Sequence, residues 1–560
     1  MSKRLFLVPV LLLIFLALPG PGGRETGAAP GGGISGTVSD GRGPVAGVRV
    51  RIQGAKDFVV SDAAGGFAIR DVPAGKPVRV SAWKDGWYCA LARDVKAPRE
   101  GLRIRMIRYQ INDNAKYEWI PPVGKDGCSS CHNASLIAMS LEDAHLKSAV
   151  NPRFLTMYAG TDTKGNKSPP TRYAPGTGAW NTSLLPQRPD PAGPYYGPGF
   201  VQDFPDTAGN CSACHVPGTS LSGNIDPRSV RGADRYGVHC DFCHKVADVH
   251  LDPVTRMPFR DVPGVRAMSV RRPFTNDPDR PQLFFGTFED DNVPEEDTNL
   301  PLLKESRYCA PCHFGVFWDT VVYNSYGEWL KSPYADPKSG RAKTCQECHM
   351  PSPAIHKGKA LTNVAPGKGG IDRDPDAIHS HNMTVGPEIL RNSLSMSAAA
   401  RRKDGRLAVT VELHNDRTGH HVPTDTPLRH LILLVEARDR RGKPLRQVDG
   451  AVLPEWCGQA KGRQGHYGGR PGKAYAKLLK ERWTEVVPAS AYWKHTDLVS
   501  DNRLAAFARD ASSFAFNPPS KGRATVTVTL LYRRAFIGLM EQKGWDVPDI
   551  VMARWSRAVN

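Results

Sequence analysis

The chain has 560 residues, of which 40% are hydrophobic, and it contains 54 glycines and 47 prolines. This length accommodates three or four domains, and the many glycines and prolines argue against long regular helices. The formal net charge is +18, but the basic residues form no stripe interleaved with aromatic ones, so a nucleic acid is excluded as a partner.

The first 29 residues predict an export signal peptide. Lys3 and Arg4 precede an apolar run from Leu5 to Leu18, and a Pro/Gly breaker follows, as in secretory signals. The run is shorter than an ordinary transmembrane helix, although an uncleaved membrane anchor stays open as an alternative. We therefore expect an exported protein that is periplasmic, associated with an outer membrane or extracellular.

Residues 34–109 predict a β-sandwich. Short stretches of alternating apolar and polar residues are separated by turns rich in glycine and proline, which is the pattern of small all-β domains. The predicted strands include Gly36–Asp40, Val48–Ile52, Phe67–Val72 and Val78–Trp83.

This segment resembles the carboxypeptidase regulatory-like module. The matching stretches are Gly36–Asp40, Pro44–Val48, Ser61–Phe67, Val72–Gly75 and Lys84–Trp87. The resemblance implies an accessory or surface-interaction domain without catalytic residues.

Five copies of the pattern CxxCH follow, numbered here as motifs 1 to 5. They are CSSCH at 128–132, CSACH at 211–215, CDFCH at 240–244, CAPCH at 309–313 and CQECH at 345–349. In a c-type haem site, both cysteine sulfurs bond to the porphyrin and the adjacent histidine ligates the iron. The alternative, a set of zinc sites, does not require a histidine directly after the second cysteine.

The sequence therefore predicts five covalently bound haems c. The attachment residues are Cys128, Cys131, Cys211, Cys214, Cys240, Cys243, Cys309, Cys312, Cys345 and Cys348, and the proximal ligands are His132, His215, His244, His313 and His349. Five haems add roughly ten propionates, which bring the assembled protein much nearer to neutrality.

Residues 110–388 are expected to form a loop-rich, partly helical multihaem domain. Its long loops are expected because the chain wraps around porphyrins, and short helices are predicted at Ser140–Ser148 and Asp319–Lys331. Residues 389–560 predict a C-terminal β-rich domain with strands at Leu407–His414, Leu431–Ala437 and Ala524–Tyr532, a helical or irregular insertion at 455–510, and an amphipathic tail. The fold class is thus multidomain, with a β-sandwich, a haem domain and a second β-domain.

Two cysteines, Cys89 and Cys457, lie outside the motifs. In an oxidising compartment they could form one disulfide, or both could be free thiols.

Each haem iron either takes a second axial ligand or keeps that position open for chemistry. The chain has 17 histidines, five of them in the motifs. His250 lies six residues after His244 and is a candidate ligand of its own or a neighbouring haem. His239 directly precedes Cys240, so it could serve only an adjacent iron, and its alternative is a hydrogen bond to a propionate. His420 and His421 occupy a turn before the C-terminal strands, where one could ligate a haem or both could be polar packing residues.

Several segments together resemble the multihaem cytochrome c superfamily that includes the tetrahaem electron carrier of nitrifying bacteria. They are His145–Phe154, Met157–Gly160, Tyr326–Tyr334, Cys345–Pro351, His379–His381 and Gly419–Thr424. The resemblance implies that His145 is the distal ligand of one haem and that the pair His379 and His381 supplies another.

The expected function is electron transfer between redox partner proteins, such as other cytochromes and quinol-linked or outer-membrane complexes. The two β-domains are expected to dock the haem domain onto a membrane complex or an oligomer. The alternative is a reductase in which one open haem acts on a small nitrogen or sulfur species. Pentahaem nitrite reductases carry a lysine in place of one motif histidine, whereas every motif here ends in histidine. This difference favours the electron carrier over the reductase. We therefore predict no catalytic residue.

Overall fold

A computed structural model describes residues 32–167, 173–175, 184–186, 194–274, 282–290, 296–460, 462–482 and 484–560. The predicted signal peptide at 1–29 lies outside the described residues. Within these ranges, none of the helices combines the length and the apolar character that crossing a membrane requires.

Two four-stranded sheets form the N-terminal part of the chain. The strands are β1 Gly32–Asp40, β2 Gly43–Pro44, β3 Arg49–Ile52, β4 Val59–Val60, β5 Gly66–Val72, β6 Pro77–Trp83, β7 Ala90–Lys96 and β8 Arg99–Arg105. One sheet has the order β2-β1-β5 with β8 parallel to β1, and the other has the order β4-β3-β6-β7.

The two N-terminal sheets share one apolar core, so they form a sandwich. Val38 of β1, Val50 of β3 and Val80 of β6 are fully buried, because alternate side chains of each strand face the opposing sheet. Strand β8 approaches β1 so closely that a Cβ atom at Gly36 would lie 1.9 Å from the Leu102 carbonyl oxygen. Glycine is therefore required at that position.

Short elements and long loops make up the middle of the chain. Its helices are α1 Ala134–Glu142, α2 Pro152–Ala159, α3 Phe200–Asp203, α4 Ser212–His215, α5 Pro217–Ser220, α6 Cys240–Cys243, α7 Ser325–Leu330, α8 Cys345–His349 and α9 Pro387–Arg391. Its strands form pairs, namely β9 Tyr173–Pro175 with β10 Leu184–Pro186, β11 Val246–Val249 with β12 Met268–Val270, β13 Phe284–Gly286 with β14 Asp297–Asn299, β15 Gly315–Phe317 with β16 Thr320–Tyr323, and β17 Ile355–His356 with β18 Lys359–Ala360.

A second sandwich forms the C-terminal part. Its elements are β19 Ser395–Lys403, β20 Arg406–His414, β21 His430–Asp439, β22 Gln447–Asp449, β23 Gly472–Glu481, β24 Thr496–Asp501, β25 Arg509–Phe516, β26 Ala524–Arg533, α10 Ile537–Lys543 and β27 Ile550–Val559. Sheet β19-β20-β25-β22 and sheet β24-β23-β21-β26-β27 share one core.

Several local predictions are wrong. The segment 455–510 is not a helical or irregular insertion, because it contains β23 and β24, and β23 pairs with the central strand β21. Most of β23 is buried with no regular alternation, since both of its faces are covered, and such a strand lacks the period-two pattern. The expected amphipathic tail is β27, which pairs with β26.

The predicted haem-domain helices are also displaced. The helix expected at Ser140–Ser148 lies earlier, at α1, and it begins at Asn133, whose side chain accepts a hydrogen bond from the Ser135 amide. The helix expected at Asp319–Lys331 begins only at Asn324, which caps α7 in the same way. Strand β16 occupies the residues before it.

Both sandwiches contact the middle part of the chain through polar bonds. On the N-terminal side, Trp83 Nε1 donates to Thr298 Oγ1 at 3.2 Å and the Tyr88 hydroxyl donates to the Gln282 carbonyl at 2.9 Å. On the C-terminal side, the buried Lys543 ammonium donates to carbonyl oxygens of the middle part, among them that of Pro198 at 2.6 Å. These contacts fix the two β-domains against the walls of one large cavity.

Candidate haem-binding cavity

One cavity of about 1760 Å³ runs through the middle of the chain. The cysteines and histidines of motifs 1 to 4 line it, and motif 5 contributes Gln346 and Glu347. Segments from the C-terminal sandwich, around Asp425, Tyr492 and Tyr532, close one side.

Each motif forms a short helical turn. Motifs 2, 3 and 5 coincide with α4, α6 and α8, and motif 1 begins with a 3-10 turn at Cys128–Ser130. On a helical turn, residues three and four positions apart share one face. The two cysteines and the histidine of a CxxCH unit therefore face the same side, as attachment to one porphyrin requires.

Three motif histidines each face a second histidine, and the pairs of motifs 3 and 4 line the cavity. The ring centroids of His313 and His145 are 6.1 Å apart, those of His244 and His381 are 6.5 Å apart, and those of His349 and His420 are 6.2 Å apart. Two imidazoles bound to opposite sides of one metal, each with its nitrogen about 2 Å away, have centroids roughly 6 Å apart. The three pairs therefore fit an iron between their rings.

The second ring nitrogens support the same geometry. Nδ1 of His244 hydrogen bonds to the Phe285 carbonyl at 2.6 Å, and Nδ1 of His381 bonds to the His379 carbonyl at 3.0 Å. Nδ1 of His420 bonds to the His421 carbonyl at 2.9 Å. Because Nδ1 carries the proton in each of these rings, the Nε2 lone pair is available for a metal.

The pair of motif 4 has carboxylate partners instead. Nδ1 of His145 lies 3.0 Å from Asp143 Oδ2, and Nδ1 of His313 lies 3.9 Å from Asp425 Oδ2. Asp143 is fully buried and also accepts from the Met383 amide at 2.6 Å. A carboxylate partner raises the basicity of an imidazole ligand.

Burial keeps the imidazoles neutral. It lowers the pKa values of His215, His349 and His381 to about 4, and it also lowers those of His132 and His244. Neutral imidazole is the form that binds a metal, so the cavity holds these rings in the state that ligation needs.

Motifs 1 and 2 differ from the other three. Among the described residues, which include all 17 histidines, no ring contact joins His132 or His215 to another histidine. His132 donates from Nδ1 to the Val364 carbonyl at 3.1 Å, while His215 stacks on Phe154 with centroids 3.8 Å apart. His379 lines the cavity and its Nδ1 bonds to the Met350 carbonyl at 3.0 Å, so its assignment as a ligand stays a prediction.

The structure does not bring the remaining candidates opposite a motif histidine. Nδ1 of His239 accepts from the Phe242 amide at 3.2 Å, which leaves the proton on Nε2 and no lone pair for iron. His250 is exposed and its Nε2 bonds to Ser269 Oγ at 2.8 Å. His421 faces Glu328, with 3.3 Å between Nδ1 and Oε2.

Contacts between thiols show which motifs are neighbours. Cys240 raises the pKa of the Cys128 thiol, Cys214 raises that of Cys312, and Cys345 raises that of Cys309, because each of these pairs of thiols lies close together. Motif 1 therefore adjoins motif 3, and motif 4 adjoins motifs 2 and 5. Cys243 of motif 3 is close enough to both thiols of motif 4 to interact with them electrostatically.

Backbone contacts give the same neighbours. The Tyr308 hydroxyl, next to motif 4, donates to the Cys243 carbonyl at 2.8 Å. The Gly264 amide donates to the Pro311 carbonyl at 3.0 Å. A Cβ atom at Gly264, whose φ is +58°, would lie 2.3 Å from the Ala213 carbonyl oxygen of motif 2. The Cys345 amide of motif 5 donates to Ser306 Oγ at 2.9 Å.

Two other arrangements of cysteines and histidines, a zinc site and a disulfide, are not seen in the described residues. These residues contain no convergent group of three or more histidine, cysteine or acidic side chains of the kind that holds a single ion. No disulfide joins Cys89 to Cys457 among the described cysteines.

Sequence reasoning missed Asp143, Asp425 and the Phe285 carbonyl, all of which orient candidate ligands. Asp143 had a local signal, because it stands two residues before His145 and accepts from that residue's amide at 2.7 Å. Phe285 had none, since it lies 41 residues from His244.

No known protein family matches the chain, and no curated protein does. Among solved structures, the chain is similar to a penta-haem cytochrome c552 from Thermochromatium tepidum, with a TM-score of 0.52, 18% identity, and coverage of 79% of this chain and 100% of that chain. A cohesin–X-dockerin complex from Acetivibrio cellulolyticus (25% identity, 14% and 58% coverage) and a PapD-like domain of human CEP192 (8% identity, 32% and 88% coverage) each give a TM-score of 0.13. These two similarities are too slight to bear on the fold. Over most of its length, the chain therefore has the fold of a multihaem cytochrome c.

Proposed function

We propose that this protein binds five c-type haems and transfers electrons between redox partner proteins. The observation that carries the proposal is the set of three histidine pairs, whose centroids are 6.1, 6.2 and 6.5 Å apart. A bound haem supplies an iron that alternates between ferric and ferrous states and so holds one electron.

The side chains of the chain would hold and tune these groups. His145, His381 and His420 would close the axial positions opposite His313, His244 and His349. Asp143 and Asp425 would increase the basicity of the pair at motif 4. The stronger donation favours ferric iron there, so the potential of the haem at motif 4 would be the lowest of the three.

The neighbouring motifs support a branched order. Motif 1 adjoins motif 3, motif 3 adjoins motif 4, and motif 4 adjoins both motif 2 and motif 5. Imidazole interactions agree, because His145 at motif 4 acts electrostatically on His215 and on His349. Motif 4 would therefore be the junction of an electron path with three ends, at motifs 1, 2 and 5.

The wider setting is proposed on sequence grounds. The chain would be exported, with the N-terminal sandwich acting as a carboxypeptidase regulatory-like docking module and the haem domain related to the tetrahaem carriers of nitrifying bacteria. Other cytochromes and quinol-linked or outer-membrane complexes would be its partners, reached through the β-domains.

Haem content and electron paramagnetic resonance test this function. The purified holoprotein should contain five haems per chain in a pyridine haemochrome assay. The ring planes of the pairs at motifs 3 and 5 are 17° and 21° apart, whereas those at motif 4 are 60° apart. Nearly parallel rings split the iron d orbitals more than crossed rings do. We therefore expect two rhombic low-spin signals, from motifs 3 and 5, and one highly anisotropic signal, from motif 4. Fewer than five haems, or the absence of bis-histidine signals, would contradict the proposal.

A second candidate function is reduction of a small nitrogen or sulfur species at motif 2. His215 has no histidine partner within the described residues, and the half-buried phenols of Tyr323 and Tyr492 lie near its cysteines. Such groups can deliver protons to a bound substrate. If this reading holds, the ferric protein should show a high-spin component that nitrite or sulfite converts. A wholly low-spin spectrum that neither anion alters would remove this candidate and leave electron transfer standing.

A further inference from the structure

Two arginines meet at the end of the central sheet. Strands β21 and β26 are antiparallel with His430 opposite Arg533. Arg429 and Arg534 are the next residues beyond this pair, so they leave the sheet at the same end of the two strands. Both line the cavity. The end of this strand pair therefore carries two positive charges.

A third arginine faces the same region from the haem domain. Arg153 follows Pro152 at the start of α2 and lines the cavity. Its neighbour Phe154 stacks on His215. Burial lowers the pKa of Arg153, and the charges of Arg534 and Arg429 lower it further. Arg153 therefore lies within electrostatic range of both Arg429 and Arg534.

The described residues do not balance this charge. Asp425 Oδ2 lies 3.5 Å from Arg429 Nη1, but the same carboxylate also faces His313. Neither Arg153 nor Arg534 has a described carboxylate oxygen within 4.0 Å of its side-chain nitrogens. Within the described residues, Nη2 of Arg534 donates to the Val385 carbonyl at 3.3 Å. Charges enclosed in protein are strongly destabilising unless they are paired.

We propose that Arg153, Arg429 and Arg534 form a binding site for a carboxylate or a similar oxyanion inside the cavity. A guanidinium group presents paired N–H donors in a plane, which match the two oxygens of such an anion. Tyr532 is buried beneath the site, with its ring 5.8 Å from the Arg534 guanidinium carbon. This site rests on the proposed haem binding, because that function places anionic groups in the cavity.

Two sources would supply the same chemistry. One is a propionate of the haem attached at motif 4 or motif 2, held in place for as long as the haem is bound. The other is a free inorganic oxyanion that enters from solvent. The distinction matters, because a bound propionate tunes a potential, whereas a free anion would be a ligand or a substrate.

The experiment compares Arg534→Gln and Arg153→Gln with Arg406→Gln in the full-length holoprotein. Arg406 begins β20, is exposed and lies outside the cavity lining, so its variant controls for a general loss of positive charge. Each variant is measured by spectroelectrochemistry and by absorbance titration with nitrite and with sulfite. The pyridine haemochrome assay is run alongside, and a haem count below five in the unaltered protein would contradict the proposed function rather than this site.

If a propionate is the ligand, each cavity variant lowers the reduction potential of one haem, because the loss of a positive charge disfavours the reduced iron. The titrations with nitrite and sulfite then give the same result for the variants as for the unaltered protein. If a free oxyanion is the ligand, nitrite or sulfite changes the spectrum saturably and the cavity variants raise its dissociation constant about tenfold, which corresponds to about 1.4 kcal/mol. Either result supports the site.

The site is overturned if both cavity variants match Arg406→Gln in potentials and in titrations. Arg534→Lys separates charge from packing, because it keeps the positive charge. It should stay near the unaltered protein in whichever measurement Arg534→Gln changes. A lysine variant as perturbed as the glutamine variant would contradict the proposal.

Discussion

Replacing His145 with glycine is expected to convert one of five haems from low-spin to high-spin. The ring of His145 faces His313 with centroids 6.1 Å apart and is oriented by Asp143, so its loss removes one axial ligand at motif 4. We also expect the potential of that haem to rise by on the order of 0.1 V, within the roughly 0.8 V range that axial ligands command. Magnetic circular dichroism and spectroelectrochemical titration of the ferric protein measure both effects.

His250→Gly is the matched control. His250 is exposed and its Nε2 bonds to Ser269, so its removal should leave spin states and potentials unchanged. An unaltered spectrum for His145→Gly would refute the pairing with His313. A new high-spin signal in His250→Gly would instead reinstate His250 as a ligand.

Loss of the haem at motif 4 is expected to divide the electron path. In the double variant Cys309→Ser and Cys312→Ser, four haems should remain attached, because the other motifs keep their cysteines. The thiols of motif 4 lie near those of motifs 3, 2 and 5, because Cys243, Cys214 and Cys345 raise their pKa values. Without the haem at motif 4, the rate of electron exchange between the haems at motifs 2 and 5 and those at motifs 1 and 3 should fall by orders of magnitude. Flash-initiated reduction with single-turnover detection measures this exchange.

The equivalent variant at motif 1 is the control. Cys128→Ser with Cys131→Ser also removes one haem, but motif 1 touches only motif 3 among the described thiol contacts. The remaining four motifs keep an unbroken order, so equilibration among their haems should be as fast as in the unaltered protein. Equal slowing in both double variants would contradict the branched order.

The periodic parts of the fold could be predicted from the sequence. Strands β1, β20 and β26 alternate apolar and polar residues, because one face is buried in a sandwich core and the other is not. Strand β23 escaped prediction for the opposite reason, since both of its faces are covered. The positions of α1 and α7 were predicted wrongly because both helices are short, so their apolar pattern is brief. Their first residues are set by the caps at Asn133 and Asn324.

Some of the candidate ligands could be predicted from the sequence, and others could be distinguished only in the structure. His145 and His381 were expected from a resemblance, and the structure places each opposite a motif histidine. His420 could not be separated from His421, since the two are adjacent and only their partners differ. His420 faces His349, whereas His421 faces Glu328.

The sequence alone determined that the chain has five CxxCH motifs, because CxxCH is a local pattern whose residues lie within five positions of one another. It also determined where the flanking sandwiches lie, since their period-two pattern is local as well. Only the tertiary structure decided which histidine opposes which, which motifs lie near motif 4, and that Arg153, Arg429 and Arg534 line the same cavity. Those relations connect residues up to several hundred positions apart, and they depend on how the chain folds around one cavity.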